Sequence, residues 1–237
     1  MTFPATGGRR APQSGQGVAH PGRRPFLGLL AGLLCLPAQA ELTMNERLPL
    51  VRARASKLRR ALLQPSIDPY RVEADYADAL QKAEALWEQG LGDQAIVALG
   101  ALQKYAPIAE LPFIKAQLLM VAIARQRGNS NLLRHHQAFA TALVETIDAS
   151  GDGQSEKTAF KLVLPSEADG WFIAHSDRYT PVAKMIVGRR RQSHDLWRAR
   201  QPDGTERTVY FDVSPMLRRP TPAPRKPSPA SPAASGR

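Results

Sequence analysis

Three stretches of this chain carry side chains able to do chemistry: His175-Ser176-Asp177, His194-Asp195, and the oxygen-rich run Asp148-Ala149-Ser150-Gly151-Asp152-Gly153. A nucleophile, an imidazole and a carboxylate make a hydrolase through their arrangement in space, not their spacing along the chain. An envelope hydrolase using His175 or His194 with a nearby carboxylate is therefore the enzymatic alternative. The stretch Gly153-Gln154-Ser155-Glu156-Lys157 lacks the second glycine of a nucleophile elbow. The Asp148 run puts oxygens at positions 1, 3 and 5 and glycine at position 6 of a calcium loop. Its twelfth position is Ala159 instead of a bidentate glutamate, so the run reads as a turn that stops a helix. His135 and His136 are helical neighbours pointing about 100° apart, which prevents them from chelating one ion. His136 falls on an apolar stripe and reads as a core imidazole with one partner. The lone cysteine, Cys35, excludes disulfide frameworks, cysteine-rich zinc sites and CxxC redox chemistry. No metal and no cofactor is expected.

Helices and strands must position these groups. Leu48, Val51, Ala55, Leu58 and Leu62 recur at three and four residues and predict a helix from Glu41 to about Leu63, ended by Pro65 and Asp68-Pro69. Its other face carries Arg52, Arg54, Lys57, Arg59 and Arg60 and reads as a solvated surface. Across 76–107, Gly90, Ala95, Leu99, Leu102 and Pro107 follow the tetratricopeptide pattern, with Ala79, Ala83 and Leu86 on the first helix and Lys82 departing from it. Gly128 marks a second interhelical turn, between an almost wholly apolar helix, Phe113 to Ala124, and one capped by Asn129 or Ser130. The stripe of that last helix is Leu132, His136, Phe139, Leu143 and Ile147.

The rhythm changes after Gly151. Thr158 to Leu164, Trp171 to His175 and Ala183 to Val187 read as strands. Asp195 to Arg200 and Arg207 to Val213 flank Gln201-Pro202-Asp203-Gly204 and predict a hairpin, with Trp197, Ala199, Val209, Phe211 and Val213 on its buried face. The expected fold is α+β: a short tetratricopeptide-like array of helical hairpins packed against a small antiparallel sheet. The division is 1–40 export signal, 41–147 helical repeat-like region, 148–217 β segment and 218–237 disordered Pro/Arg tail.

The chain has 237 residues, 43% of them hydrophobic, enough for a packed core. Nine of its net +11 charges lie at the two ends, leaving 23 basic and 21 acidic residues in 41–217. That distribution, with no aromatics among the basic residues, argues against nucleic acid as a partner. Arg23-Arg24, the apolar run Phe26 to Leu36 and Ala38-Gln39-Ala40 read as an export signal with cleavage before Glu41. Arg23-Arg24-Pro25-Phe26-Leu27 resembles the twin-arginine motif, with general secretion as the other route, to the periplasm or outside the cell. The apolar run rises about 16 Å as helix against a bilayer core of about 30 Å, so no transmembrane segment is expected in the mature chain.

Leu143-Val144-Glu145-Thr146-Ile147, Ala149-Ser150-Gly151-Asp152-Gly153, Thr158-Ala159-Phe160, Ser193-His194-Asp195, Pro202-Asp203-Gly204 and Tyr210-Phe211-Asp212-Val213 together resemble a bacterial family, domain of unknown function 4919. The resemblance covers 140–215 well and the helical half loosely, and implies an exported protein with a helical front and a β segment behind. It implies no activity. The expectation is a protein- or peptide-binding module whose groove uses Tyr76, Lys82, Gln89 and Gln117. Arg189-Arg190-Arg191 and the tail, with Arg218, Arg219, Arg225 and Lys226, add a weak contact to anionic envelope polymers.

Overall fold

The computed structural model describes residues 48–189 and 192–217. The expected export segment 1–40, Arg190 and Arg191 of the basic insert, and the tail 218–237 lie outside the described residues. Helix α1, Leu48–Ala61, follows the predicted apolar steps and buries Ala55, with Leu62 buried just beyond it. Asp68 then caps α2, Pro69–Glu88, its carboxylate accepting from the Tyr70 N–H at 3.1 Å while Pro69 takes the first turn, where a missing N–H costs nothing. The chain reverses at Gly90 (φ 78°) into α3, Gly92–Leu99, which runs on into a 3-10 turn at Gly100–Leu102. A second hairpin joins α4, Ile114–Gln126, to α5, Ser130–Asp148, through Gly128 and a cap in which Asn129 accepts from the Leu132 N–H. In both turns the glycine holds a positive φ that other residues adopt only under strain.

Helix α4 is buried from Ala116 through Ala124 because it serves two cores. On one side it packs with Leu80, Ala83, Ala95, Leu99 and Leu102 of the first hairpin. On the other it packs with Phe139 and Leu143 of α5, Trp171 and Phe172, and the sheet residues Ala199, Val209 and Phe211. Helix α1 lies along α5. No helix among the described residues is long and apolar enough to cross a membrane.

The α+β class holds, with two corrections to the expected β segment. Trp171 to His175 is not a strand: Glu167–Ala174 forms helix α6. A short, wholly apolar run fits a covered helix as well as a covered strand, and α6 is enclosed by α4, α5 and the sheet. It approaches α4 at Gly170, where an added Cβ would stand 2.6 Å from Ile114 Cβ. Nor is the sheet purely antiparallel. Strands β1 (Phe160–Lys161), β2 (Thr180–Arg189), β3 (Gln192–Arg200) and β4 (Glu206–Asp212) take the order β1-β4-β3-β2. β1 is reduced to two residues and runs parallel to β4, Phe160 beside Phe211. Such pairing needs a long return connection, which α6 and the β2–β3 hairpin supply. The predicted hairpin is present, with Ala199, Val209, Phe211 and Val213 buried, and the chain ends its described course in the short helix α7, Ser214–Leu217.

The basic face of α1 is not simply solvated. Arg52 pairs with Glu145 on α5, Arg54 with Glu110, and Arg59 is buried against Glu167. Arg59 Nε and Nη2 donate to the two Glu167 oxygens at 2.7 and 2.9 Å, Nη2 also meets Lys161 O at 3.1 Å, and the Val163 N–H donates to Glu167 Oε2 at 2.7 Å. Removing one member of such a buried pair strands a charge. Glu167→Gln should therefore lower unfolding free energy by roughly 3–5 kcal/mol in urea titration, and the double change Arg59→Met with Glu167→Met should cost less than either single change.

Candidate functional site

A concavity with polar groups along its wall opens where α6 meets the start of β2. The cavity is about 360 Å³, lined by Lys115 of α4, by Asp169, Phe172, Ile173 and Ser176 of α6 and its exit, and by Tyr179, Thr180 and Pro181. An apolar wall with a few converging polar groups is the usual make-up of a ligand site. The buried Glu167 fixes the first turn of α6, and with it the position of Asp169 at the cavity mouth. Phe172 and Ile173 turn inward as part of the core.

The electrostatics of this cleft are uneven. Lys115 Nζ lies 3.4 Å from Glu84 Oε1. Lys184 Nζ closes on Asp195 Oδ2 at 2.5 Å, as an ion pair and not as an aligned hydrogen bond, and sits 5.2 Å from the centre of the Trp197 ring. Asp169 has neither a hydrogen bond nor an ion pair among the described residues, though its carboxyl opens to the cavity. Desolvation by the surrounding protein raises its pKa above the usual carboxylate value; Lys115 and Lys184 pull it back, and Asp195 pushes it further up. Nearby, the buried Trp197 Nε1–H has no partner among the described residues. An unpaired carboxylate with a perturbed pKa in a cleft is the pattern that marks a functional position.

A second polar cluster lies behind α6. Trp171 Nε1 donates to Asp148 Oδ1 at 2.7 Å, and His175 Nε2 lies 3.3 Å from Asp148 Oδ2. His175 Nδ1 faces the Trp171 carbonyl at 3.0 Å, and the imidazole stacks on the Trp171 indole with centroids 4.2 Å apart. Burial by itself would raise Asp148, but the His175 and Trp171 donors outweigh it and hold the carboxyl below its ordinary value. Both nitrogens of His175 thus face acceptors within the fold, and the imidazole acts as a brace between α5 and α6.

The family model described as Domain of unknown function (DUF4919) matches residues 63–221. The chain belongs to this family. The DUF4919 match spans every element from α2 to α7 and the whole cleft, while α1 with Arg59 stands before it. No curated protein and no solved structure matches the chain.

In this DUF4919 chain the residues singled out from sequence scatter. Tyr76 is buried, its ring stacked on Phe113 at 4.4 Å, and Gln117 is wholly buried, so neither is placed to touch a partner. Lys82 on α2 and Gln89 at its C-terminal cap are exposed, paired with Asp78 and the Ala85 carbonyl respectively. His194 lies on β3 opposite Asp212 and Val187. Among the described residues no serine hydroxyl bonds to His175 or His194, so the triad of the enzymatic alternative is not assembled. The oxygens of the Asp148 run also part company. Asp148 turns to His175 and Trp171, Ser150 Oγ accepts from the Lys161 N–H, and Asp152 Oδ1 accepts from the Gln154 N–H. Sequence reasoning missed Asp169, Lys115 and Lys184, which lie far apart in the chain and follow no motif.

Gln117 and His136 serve the interior instead. Gln117 Nε2 donates to Leu111 O at 2.8 Å, which turns Oε1 toward His136 Nδ1 at 2.7 Å and makes that nitrogen the donor. Burial, reinforced by the neighbouring His135, holds the His136 pKa down to about 4. The unfolded chain takes up its proton near 6.5, so this site favours folding fully above about pH 6.5 and the advantage is lost as pH falls toward 4. In urea titrations at pH 7 and pH 4.5, the wild type should lose more stability between the two than His136→Gln does.

Proposed function

We propose that this protein is an exported module that binds an extended peptide segment of another protein along the free edge of β2. The observation that supports this is the exposure of that strand. β2 lies at the end of the sheet order, is ten residues long, and from Thr180 to Ile186 every residue is solvent-exposed, with Val182, Met185 and Ile186 among the exposed large apolar side chains. Proteins normally blunt such edges with charge, proline, bulges or a covering element. Here Pro181, the irregular pairing between Pro181 and Ala183, and Lys184 guard only the first part. Met185 is 58% and Ile186 69% exposed, on opposite faces of the strand. A row of backbone groups that is unpaired among the described residues, flanked by apolar side chains on both faces, is what strand addition uses: backbone bonds give affinity and side-chain contacts give choice.

The helical hairpins act as the scaffold that holds this sheet, in the manner of a helical-repeat protein. Export rests on the Arg23-Arg24, Phe26 to Leu36 and Ala38-Gln39-Ala40 pattern, and the basic tail gives a salt-sensitive contact with anionic envelope polymers.

Two measurements test this reading. N-terminal sequencing of the protein recovered from the cell envelope or medium should begin near Glu41; a chain retaining residues 1–40 in the cytoplasm refutes export. On the immobilised full-length chain, a pool of eight-residue peptides alternating apolar and polar residues should be retained, and Met185→Lys with Ile186→Lys should reduce retention about tenfold or more without shifting the urea midpoint. Equal retention by the variant would rule out the β2 edge.

A further inference from the structure

The cleft at the foot of β2 shares Thr180 and Pro181 with the strand edge, so a peptide added along β2 would bring one of its ends to the cavity. Which end is decided by charge. Of the two charged side chains that line the cleft, Lys115 has Glu84 as its close counter-charge, while Asp169 makes no hydrogen bond and no ion pair among the described residues, Lys115 and Lys184 acting on it only at longer range. An unpaired carboxylate beside the apolar wall of Phe172 and Ile173 is complementary to a cation carried on an apolar group. A carboxylate in the same place would meet Asp169 at close range and two ammonium groups already engaged.

We infer that the cleft captures the free amino terminus of the bound peptide, with Asp169 as the counter-ion. The inference rests on peptide binding at the β2 edge and adds polarity to it. The cleft lies at the N-terminal end of β2, so a peptide whose own amino terminus enters it runs parallel to that strand. A peptide carboxyl terminus there would require antiparallel addition.

The test compares two synthetic pools on the immobilised full-length chain: eight-residue peptides alternating apolar and polar residues and free of lysine, with either free or acetylated amino termini. The free pool should be retained at least tenfold better by the wild type. Asp169→Asn should remove that preference and leave the acetylated pool unaffected, and Ser176→Lys, which places a competing ammonium in the cavity, should do the same. Asp169 and Ser176 are both exposed, and unchanged urea midpoints would exclude a folding defect as the cause. Equal retention of both pools by the wild type overturns capture of the amino terminus and leaves edge binding standing. Retention of neither pool overturns both.

Discussion

The arrangement depends on one desolvated contact, the bidentate pairing of Arg59 with Glu167. Two charges brought out of water this completely repay their hydration only if nearly every donor and acceptor is engaged. Here Glu167 takes both guanidinium bonds and the Val163 N–H, while Arg59 also holds the Lys161 carbonyl. Three segments meet at that point: α1, β1 with the residues that follow it, and the first turn of α6. Once Glu167 is placed, α6 has one orientation. Gly170 then lies on Ile114, Phe172 and Ile173 face inward, and Asp169 is left at the cavity mouth. The same turn is braced by Glu73, whose carboxylate accepts from the Ser166 N–H and Oγ–H at 3.0 Å each.

The helical half was legible because its signals are local. Glycine at 90 and 128, the Asn129 cap and the spacing of Ala79, Ala83, Ala95 and Leu99 each state a helix boundary or a crossing within one turn of chain. The β3–β4 hairpin was legible for the same reason, since strict alternation around Pro202-Asp203-Gly204 separates a buried face from a wet one. Two features were hidden by burial. Trp171-Phe172-Ile173 is apolar on all sides whether it coils or extends, and β1 is too short for alternation to register. The stripe of α5 was right at His136, Phe139, Leu143 and Ile147, but Leu132 stands partly exposed at its start.

The candidate site was scarcely legible at all. Tyr76 and Gln117 looked like groove residues because polar and aromatic types at helical positions suggest a surface, yet tight packing took both inward. Tyr76 is stacked on Phe113, and Gln117 is turned between a carbonyl and an imidazole. His175 does meet a carboxylate, Asp148 of α5, but Trp171 makes that contact a brace by supplying an indole donor, a carbonyl acceptor and a stacking surface. Asp169 carried no signal because its distinction is the lack of a partner, which only the surrounding structure defines.

The parallel pairing of Phe160 with Phe211 governs how the chain comes together. β1 leaves the ribosome long before β4, and in the interval Phe160 has no strand to join. The hairpin contacts of the helical half form early, whereas closure of the sheet waits for nearly the whole matched segment and carries the entropy of a long loop. Until that moment the aromatic cluster of Phe160, Trp171 and Phe211 is incomplete and an apolar surface stays open to other chains. The last strand made is therefore the one that seals the interior, and termination after α6 but before Val209 would release a chain whose helices up to α6 are complete but whose core is unroofed.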